Sequence, residues 1–313
     1  MKKKYIDILM ATYNGEKYLK EQIESILNQT HKDFRLIISD DCSKDSTREI
    51  LNKYAKKDKR IKIYKQEKNL GYVKNFEFLL SKVENEYYMF SDQDDVWLPD
   101  KVKKSLETLI ETNSDLAFSD LVVVDEKLDV IEESFLQYCG LTERVKKKEQ
   151  KYDTYYLHNS IAGCTIIGRK RMIDKIIPMP ENTKLIIHDY WMGLMAASYG
   201  KMAYIDRKDI LYRQHDNNCS GYGGKNEKVF TRKELREKIL DEQIEKFQAL
   251  NELKDRFPKE IQLKNKRALE YYKKINDIKV INLNLKMYHD VYKGQTLKFY
   301  LKSMILLNLN IWK

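Results

Sequence analysis

The chain of 313 residues is 42% hydrophobic and 34% charged, with a formal net charge of +10, which allows one large domain with a real core, or a domain with an extension. Four widely spaced cysteines, without a CxxC pair or a histidine cluster, exclude a disulfide scaffold and a zinc site and favour a reduced cytosolic protein. No apolar run approaches the about 20 residues that span a bilayer, and Asp7 interrupts the apolar stretch behind the N-terminal lysines, which argues against a signal peptide.

The first hundred residues alternate between strand and helix patterns. Apolar, β-rich segments predict strands at residues 5–12, 34–39, 61–64 and 87–90, and helical periodicity predicts helices at residues 17–28, 46–54 and 73–83. Such alternation predicts a parallel, doubly wound sheet. Polar motifs follow the first, second and fourth strands, so we expect them to meet at the edge of the sheet where open α/β folds bind ligands.

The fourth strand ends in an acidic stretch in which Asp92, Asp94 and Asp95 lie within four positions. Carboxylates packed this closely require a cation, a proton or full solvation. A divalent cation whose coordination is completed by diphosphate oxygens and water would satisfy them. The alternative is a solvated acidic turn that caps the following helix.

Further strands are predicted at residues 116–124, 161–167, 202–205 and 210–215, and a helix at residues 191–198. Residues 132–152 are expected to form an irregular connection. The small residues within 161–167 are typical of a place where something approaches the backbone closely. Asp189 precedes the helix, where it is either a functional carboxylate or a helix cap. Gly221, Gly223 and Gly224 predict a flexible loop that orders over a ligand.

The composition changes after residue 224, so we predict a catalytic domain over residues 1–224 and a basic helical region over residues 225–313. Residues 225–313 contain 21 Lys and Arg against 12 Asp and Glu, which favours an anionic partner such as membrane lipid, with a merely solvated basic surface as the alternative. Helical patterns occupy residues 231–255 and 260–281. The basic, aromatic segment 297–312 predicts a helix that lies in a membrane interface or packs on the catalytic domain.

Four motifs occur in sequence, at residues 10–19 (MATYNGEKYL), 39–47 (SDDCSKDST), 69–75 (NLGYVKN) and 90–97 (FSDQDDVW). Together they resemble the family 2 glycosyltransferases of the GT-A fold, which are inverting enzymes that use nucleotide sugars. The resemblance covers about residues 5–220. It implies an α/β, Rossmann-like fold with a mixed, mainly parallel sheet and flanking helices, to which this chain adds a helical C-terminal extension.

The resemblance also implies roles for individual residues. Asp189 would be the general base, and Mg²⁺ or Mn²⁺ would be bound by Asp94, Asp92 and His215, although His215 alone is equally an ordinary histidine at a strand end. The implied donor-binding residues are Thr12, Asn14, Glu16, Asp40, Asp41, Gly71, Lys74, Asp92 and Gln93. The implied acceptor-side residues are Asp95, Trp97, Gly163, Cys164, Thr165, His188 and Trp191, of which Asp95 is alternatively a support for the metal site and Trp191 a core residue.

The acidic motif, with residues 188–191 (HDYW) and 212–218 (YRQHDNN), most resembles bacterial rhamnosyltransferases that build cell-surface polysaccharides. The implied donor is dTDP-rhamnose, with a UDP-hexose as the alternative, and the implied acceptor is a glycan or a lipid-linked saccharide. The implied location is the inner face of the cell membrane, through peripheral contact. We leave a homodimer open and expect no nucleic acid as a partner. Relatives more often carry glycine at the positions of Cys42 and Cys164. The larger cysteine side chains are expected to narrow the loop and the acceptor pocket.

Other classes of function remain as alternatives. A phosphohydrolase would use Asp92 as its nucleophile, but such enzymes carry their acidic pair on the first strand. A non-catalytic protein that binds glycans or nucleic acid would rely on the basic C-terminal region, and its affinity would depend on salt. A glycosidase would need two carboxylates flanking the sugar and no nucleotide site.

Overall fold

A computed structural model describes residues 4–139, 141, 145–146, 150–181, 185–216, 218 and 232–277. The strands are β1 Ile6–Thr12, β2 Phe34–Asp40, β3 Ile61–Lys65, β4 Tyr87–Ser91, β5 Val96–Trp97, β6 Leu116–Ser119, β7 Val122–Val124, β8 Val130–Glu132, β9 Ile167–Arg169, β10 Met202–Ile205 and β11 Ile210–Arg213. The helices are α1 Leu19–Leu27, α2 Thr47–Lys57, α3 Tyr72–Leu80, α4 Lys101–Glu111, α5 Phe135–Tyr138, α6 Tyr152–Tyr155, α7 Ile173–Ile176, α8 His188–Tyr199, α9 Arg232–Glu252 and α10 Lys259–Asp277.

The main sheet contains seven strands within the described part of the chain, in the order β10-β6-β9-β4-β1-β2-β3. Its strand pairs are parallel except those of β9, which runs antiparallel to both β4 and β6. A smaller sheet has the order β5-β11-β7-β8. The predicted α/β fold with a mainly parallel sheet is confirmed.

Strand β1 shows why the sheet is covered on both faces. Ile6, Ile8 and Met10 pack into the core on one face, together with the apolar side of helix α1. Leu9 packs into the core on the other face, against residues of helix α3. Because successive side chains of a strand point to opposite faces, a continuous apolar run predicts such a doubly covered strand.

Residues 116–124 form two strands rather than the single strand that was predicted. The chain turns at Asp120, whose Oδ1 accepts hydrogen bonds from the backbone N–H groups of Leu121 (2.8 Å) and Leu136 (3.1 Å). Its other oxygen accepts one from the Ser134 hydroxyl. Strand β6 therefore stays in the main sheet, whereas β7 enters the smaller sheet.

The predicted strand at residues 161–167 is wrong over most of its length. Gly163–Thr165 form a 3-10 turn, and the strand β9 begins only at residue 167. The Thr165 hydroxyl donates to the Ala162 carbonyl (2.7 Å), and so does the Thr165 backbone N–H (3.0 Å). Threonine thereby uses a local hydrogen bond in place of a ladder bond.

The C-terminal helices α9 and α10 share a core with the preceding part of the chain. Lys246 Nζ donates to the Leu157 carbonyl (2.7 Å), the Tyr152 hydroxyl donates to Asn265 Oδ1 (2.7 Å), and the Phe257 ring meets the Trp191 ring edge-on at 5.6 Å. None of the described helices is both long and apolar enough to cross a bilayer.

Several predictions concern residues outside the described ranges. These are the boundary between residues 224 and 225, the glycine loop at residues 221–224, and the amphipathic segment 297–312. Each of them stays a prediction.

Candidate active site

The loops that follow β1, β2 and β4 meet at one edge of the main sheet. The Gln93 side chain accepts a hydrogen bond from the Tyr13 backbone N–H (2.9 Å) and donates one to the Tyr13 carbonyl (3.1 Å). The Asp41 backbone N–H donates to the Thr12 carbonyl (2.8 Å). The convergence expected from strand order is therefore present in the structure.

The predicted donor-binding residues also fasten these loops to one another. Asp41 accepts hydrogen bonds from the backbone N–H groups of Leu70 (2.7 Å) and Gly71 (2.9 Å). Gly71 has a φ of 78°, a left-handed conformation that favours glycine. Asn14 Oδ1 accepts a hydrogen bond from the Lys44 backbone N–H (2.9 Å). The Glu16 carboxylate likewise accepts one from the Ser46 backbone N–H in the same loop after β2.

The charged side chains of Asp40 and Lys74 both form ion pairs with other side chains of the protein. The buried Asp40 carboxylate accepts from Arg48 Nε (2.6 Å) and from the Thr12 hydroxyl (3.4 Å). Lys74 Nζ lies 3.1 Å from a Glu77 carboxylate oxygen and 2.6 Å from one of Glu181. In the structure the charge of Lys74 is thus paired with two carboxylates of the protein, and its role in donor binding stays a prediction.

The acidic stretch after β4 faces the end of β11. His215 Nε2 lies 2.9 Å from Asp94 Oδ2. Ligand atoms of Asp92, Asp95 and Cys164 all lie within 4.8 Å of one another. Burial, followed by the charges of Asp94 and Asp189, raises the pKa of Asp92 to about 7. The carboxylates of this stretch are thus close together and partly shielded from water. A solvated acidic turn, which was the alternative interpretation, would not show this arrangement.

These residues fit a hard divalent cation. Asp94 and His215, 2.9 Å apart, offer a carboxylate oxygen and an imidazole nitrogen, which are donors that Mg²⁺ and Mn²⁺ accept. The Asp92 carboxylate, in contrast, lies within 4.8 Å of ligand atoms of Asp95 and Cys164. Burial and the neighbouring charges of Asp94 and Asp189 raise the pKa of Asp92, and a bound cation would offset both effects. The neighbouring thiol of Cys164 is a softer donor and suits these ions less.

Asp95 points into the protein rather than toward an acceptor. Its carboxyl group is fully buried, and Oδ1 accepts a hydrogen bond from the Arg213 backbone N–H (3.2 Å). Burial, with the charges of Asp94 and Asp92, raises its pKa well above the usual value. Of the two predicted roles, the structure favours support of the metal site.

Asp189 lies in the first turn of α8 and is buried. Its Oδ1 accepts hydrogen bonds from Asn159 Nδ2 (2.9 Å) and from the Tyr190 backbone N–H (2.5 Å). Burial raises its pKa to about 7, while those hydrogen bonds act in the opposite direction. The Asp189 charge in turn contributes to the raised pKa of Asp92, after burial and the charge of Asp94. A carboxylate that is partly ionised at neutral pH is suited to general base catalysis.

The pH dependence of activity should follow Asp189. A base must be deprotonated, so the rate is expected to rise with pH and level off above a midpoint near 7, where the Asp189 pKa lies. The Asn159 hydrogen bond lowers that pKa, and therefore Asn159→Ala should move the midpoint upward. Profiles of kcat/KM against pH, with Asn52→Ala as a control on helix α2, measure this. An unchanged midpoint in Asn159→Ala would contradict the assignment of Asp189.

The predicted acceptor-side residues Gly163 and His188 pack against each other inside the protein. A Cβ atom at Gly163 would lie 2.7 Å from His188 Nε2, so only glycine allows this contact. The imidazole stacks on the Phe76 ring at 4.7 Å, and burial lowers the pKa of His188 to about 4. His188 is therefore neutral at pH 7. It is buried and directly precedes Asp189 in helix α8.

Trp97, Trp191 and Thr165 are not placed to contact an acceptor. Trp191 is fully buried and its Nε1 donates to the Ile176 carbonyl (2.7 Å). The buried Trp97 ring lies 4.6 Å from Lys101 Nζ. Thr165 is fully buried as well. Their burial favours packing roles, which for Trp191 is the core position expected as the alternative, and it argues against the acceptor-side roles predicted for Trp97 and Thr165.

Two residues near the site were not predicted from the sequence. Asn159 contacts Asp189 although it lies in a segment without a strand or helix signal. The side chain of Arg213 is 2% exposed and reaches the backbone of Asp94. Arg213 lies two positions before His215 in a polar motif, and that position was the available signal in the sequence. An arginine that is buried requires polar partners.

Comparison with known proteins agrees with this geometry. The family model described as Glycosyl transferase family 2 matches residues 7–177. The dTDP-rhamnosyl transferase RfbG of Shigella flexneri is 31% identical over 225 residues, which cover 68% of this chain and 73% of that protein.

Two solved structures resemble the fold. TarS from S. aureus in complex with UDP-GlcNAc has a TM-score of 0.58 at 20% identity, over 86% of this chain and 92% of that chain. The mannosyltransferase PcManGT from Pyrobaculum calidifontis, in complex with GDP-Man and Mn²⁺, has a TM-score of 0.52 at 13% identity, over 96% of this chain and 74% of that chain.

An α/β fold with polar loops and an acidic motif at one sheet edge defines an enzyme of the GT-A class. The chain belongs to glycosyl transferase family 2. It is therefore a glycosyltransferase that takes its sugar from a nucleotide-sugar donor.

Proposed function

We propose that this glycosyltransferase transfers rhamnose from dTDP-rhamnose, with inversion, to a cell-surface glycan or a lipid-linked saccharide. The observation that carries the proposal is the buried carboxylate of Asp189 in the first turn of α8, which accepts hydrogen bonds from Asn159 Nδ2 (2.9 Å) and the Tyr190 backbone N–H (2.5 Å). The 31% identity to a dTDP-rhamnosyl transferase supports the choice of sugar.

The proposed reaction is a single in-line displacement at the anomeric carbon. Asp189 accepts the proton of the acceptor hydroxyl while the oxygen of that hydroxyl attacks the anomeric carbon. The bond to the nucleoside diphosphate breaks in the same step, and the diphosphate leaves with the electron pair. Asn159 holds Asp189 in place through its hydrogen bond (2.9 Å). No covalent intermediate on the enzyme is required.

A divalent cation completes the proposal. Asp94 and His215 would hold it together with Asp92, in agreement with the short distance between Asp94 and His215 (2.9 Å). Such a cation, Mg²⁺ or Mn²⁺, supplies charge stabilisation for the leaving diphosphate. The Mn²⁺ in PcManGT supports this choice of cofactor.

Donor binding tests the proposal. We would measure binding of dTDP-rhamnose, UDP-glucose, UDP-galactose and UDP-N-acetylglucosamine by calorimetry with Mn²⁺ present. Preferential binding of dTDP-rhamnose is the expected result. Binding of a UDP-sugar alone would leave a glycosyltransferase with a different donor, which is the second candidate and is favoured by the likeness to TarS in complex with UDP-GlcNAc.

Peripheral membrane contact at the inner face of the membrane forms a further part of the proposal. It rests on residues 225–313, which carry 21 Lys and Arg against 12 Asp and Glu, since clustered basic residues are attracted to anionic lipid. Co-flotation with anionic vesicles tests it, and flotation that persists after deletion of residues 282–313 would refute the role of the C-terminal segment.

A further inference from the structure

Arg213 is a buried arginine whose polar contacts all lie within the protein. Its Nε donates to the Asp94 carbonyl (2.9 Å), its Nη1 donates to the Glu126 carbonyl (2.5 Å), and its Nη2 pairs with the Glu21 carboxylate. The guanidinium also lies over the Tyr18 ring, 4.5 Å from the centroid. One side chain therefore joins the acidic motif to helix α1 and to the turn after β7.

These contacts distinguish Arg213 from a residue that binds diphosphate directly. Its side chain is only 2% exposed, and the three nitrogens of the guanidinium each have a protein partner. A phosphate ligand would need donors that reach the open site. Arg213 must therefore act through the groups that it holds.

Arg213 contacts the backbone of one predicted metal ligand, Asp94, and lies two residues before the other, His215. Its side chain fixes the backbone of Asp94, and its backbone N–H donates to Asp95 (3.2 Å). His215 follows two residues later and lies 2.9 Å from Asp94 Oδ2. The pairing of β5 with β11 also brings the two segments together, and the Arg213 side chain adds a hydrogen bond to the backbone of Asp94 itself.

We infer that Arg213 is a positioning residue that aligns Asp94 and His215 for a divalent cation. The inference rests on the proposed function, in which these two residues hold the metal. Partners outside the coordination sphere typically contribute about 10- to 100-fold to metal affinity. Lysine would keep the charge at this position but lacks the planar fork that reaches three acceptors at once.

The test is Mn²⁺ binding to the full chain, measured by electron paramagnetic resonance without donor or acceptor. Arg213→Lys is expected to weaken Mn²⁺ binding about 10- to 100-fold. Arg207→Lys is the matched control, because Arg207 is half-exposed and pairs with Asp209 away from the motif (2.8 Å). Equal Mn²⁺ affinity in Arg213→Lys and the wild type would overturn the inference alone. A wild type that binds no Mn²⁺ would overturn both the proposed metal site and this inference.

A double-mutant cycle separates positioning from a general loss of stability. If Arg213 acts through His215, Arg213→Lys should weaken Mn²⁺ binding less in a His215→Gln background than in the wild type. Equal losses in both backgrounds would show that Arg213 acts independently of His215 and would refute the inference.

A second variant serves if Arg213→Lys does not fold. Glu21→Gln keeps the arginine and changes only a partner whose side chain is 56% exposed. Its expected effect is a loss of about two- to fivefold in Mn²⁺ affinity. Unchanged affinity in Glu21→Gln would then count against the inference.

Discussion

Replacing Asp189 by asparagine is expected to lower the rate of sugar transfer about 10²- to 10⁴-fold, which is the usual contribution of a general base. An amide cannot accept the acceptor proton, whereas its oxygen can still receive the hydrogen bonds that Asn159 and Tyr190 donate. The variant should therefore fold normally and bind the donor as the wild type does. Measurement of kcat together with donor affinity checks both expectations.

Asp174→Asn is the matched control for this substitution. Asp174 is an exposed residue of helix α7, so the same change of carboxylate to amide should leave the rate unaffected. A fall in rate of less than about tenfold in Asp189→Asn would be too small for a general base and would argue that Asp189 serves as a helix-terminal residue.

Replacing Asp94 by asparagine is expected to abolish metal-dependent donor binding and to lower the rate about 10³-fold, or about 4 kcal/mol. The neutral amide is a poor ligand for a hard divalent cation. It also keeps a hydrogen-bonding group near His215, which limits the effect on folding. Donor calorimetry with Mn²⁺ and with a chelator measures the metal-dependent part of the affinity.

The Asp94 experiment has an internal comparison. Donor affinity measured in the presence of the chelator should be similar in Asp94→Asn and in the wild type, because Asp94 is expected to act on the donor only through the metal. If both proteins gain the same affinity from Mn²⁺, Asp94 is not a ligand, and the neighbouring group of Asp92, Asp95 and Cys164 becomes the better candidate.

The alternation of strands and helices over the first hundred residues was predictable because it depends on local pattern. Continuous apolar runs such as β1 and β4 predict strands covered on both faces, and the intervening helical periods predict crossovers. Given parallel strands, the loops that contain Thr12, Asp41 and Gln93 had to meet at one edge, and the hydrogen bonds between Gln93 and the backbone of Tyr13 confirm it.

The roles of polar and aromatic side chains within that frame were less predictable. Lys74 belongs to the motif at residues 69–75, yet its charge is paired with Glu77 and Glu181. Glu181 is more than a hundred positions away, so no local pattern indicates the pair. Trp191 lies only two residues after Asp189, but helix α8 rotates by about 200° between them, so the two side chains point in different directions. The Trp191 ring is packed in the core, and its Nε1 donates to the Ile176 carbonyl.

The sequence by itself determined the family, the alternating architecture and the carboxylates Asp94 and Asp189 as candidates, since motifs and periodicity are properties of neighbouring residues. The tertiary structure alone decided which charges are paired, which are buried and which meet across the sheet edge. Burial sets the pKa of Asp189 near 7, and Arg213 joins segments that lie far apart in the chain. Such effects depend on distance in space, which a linear pattern does not record.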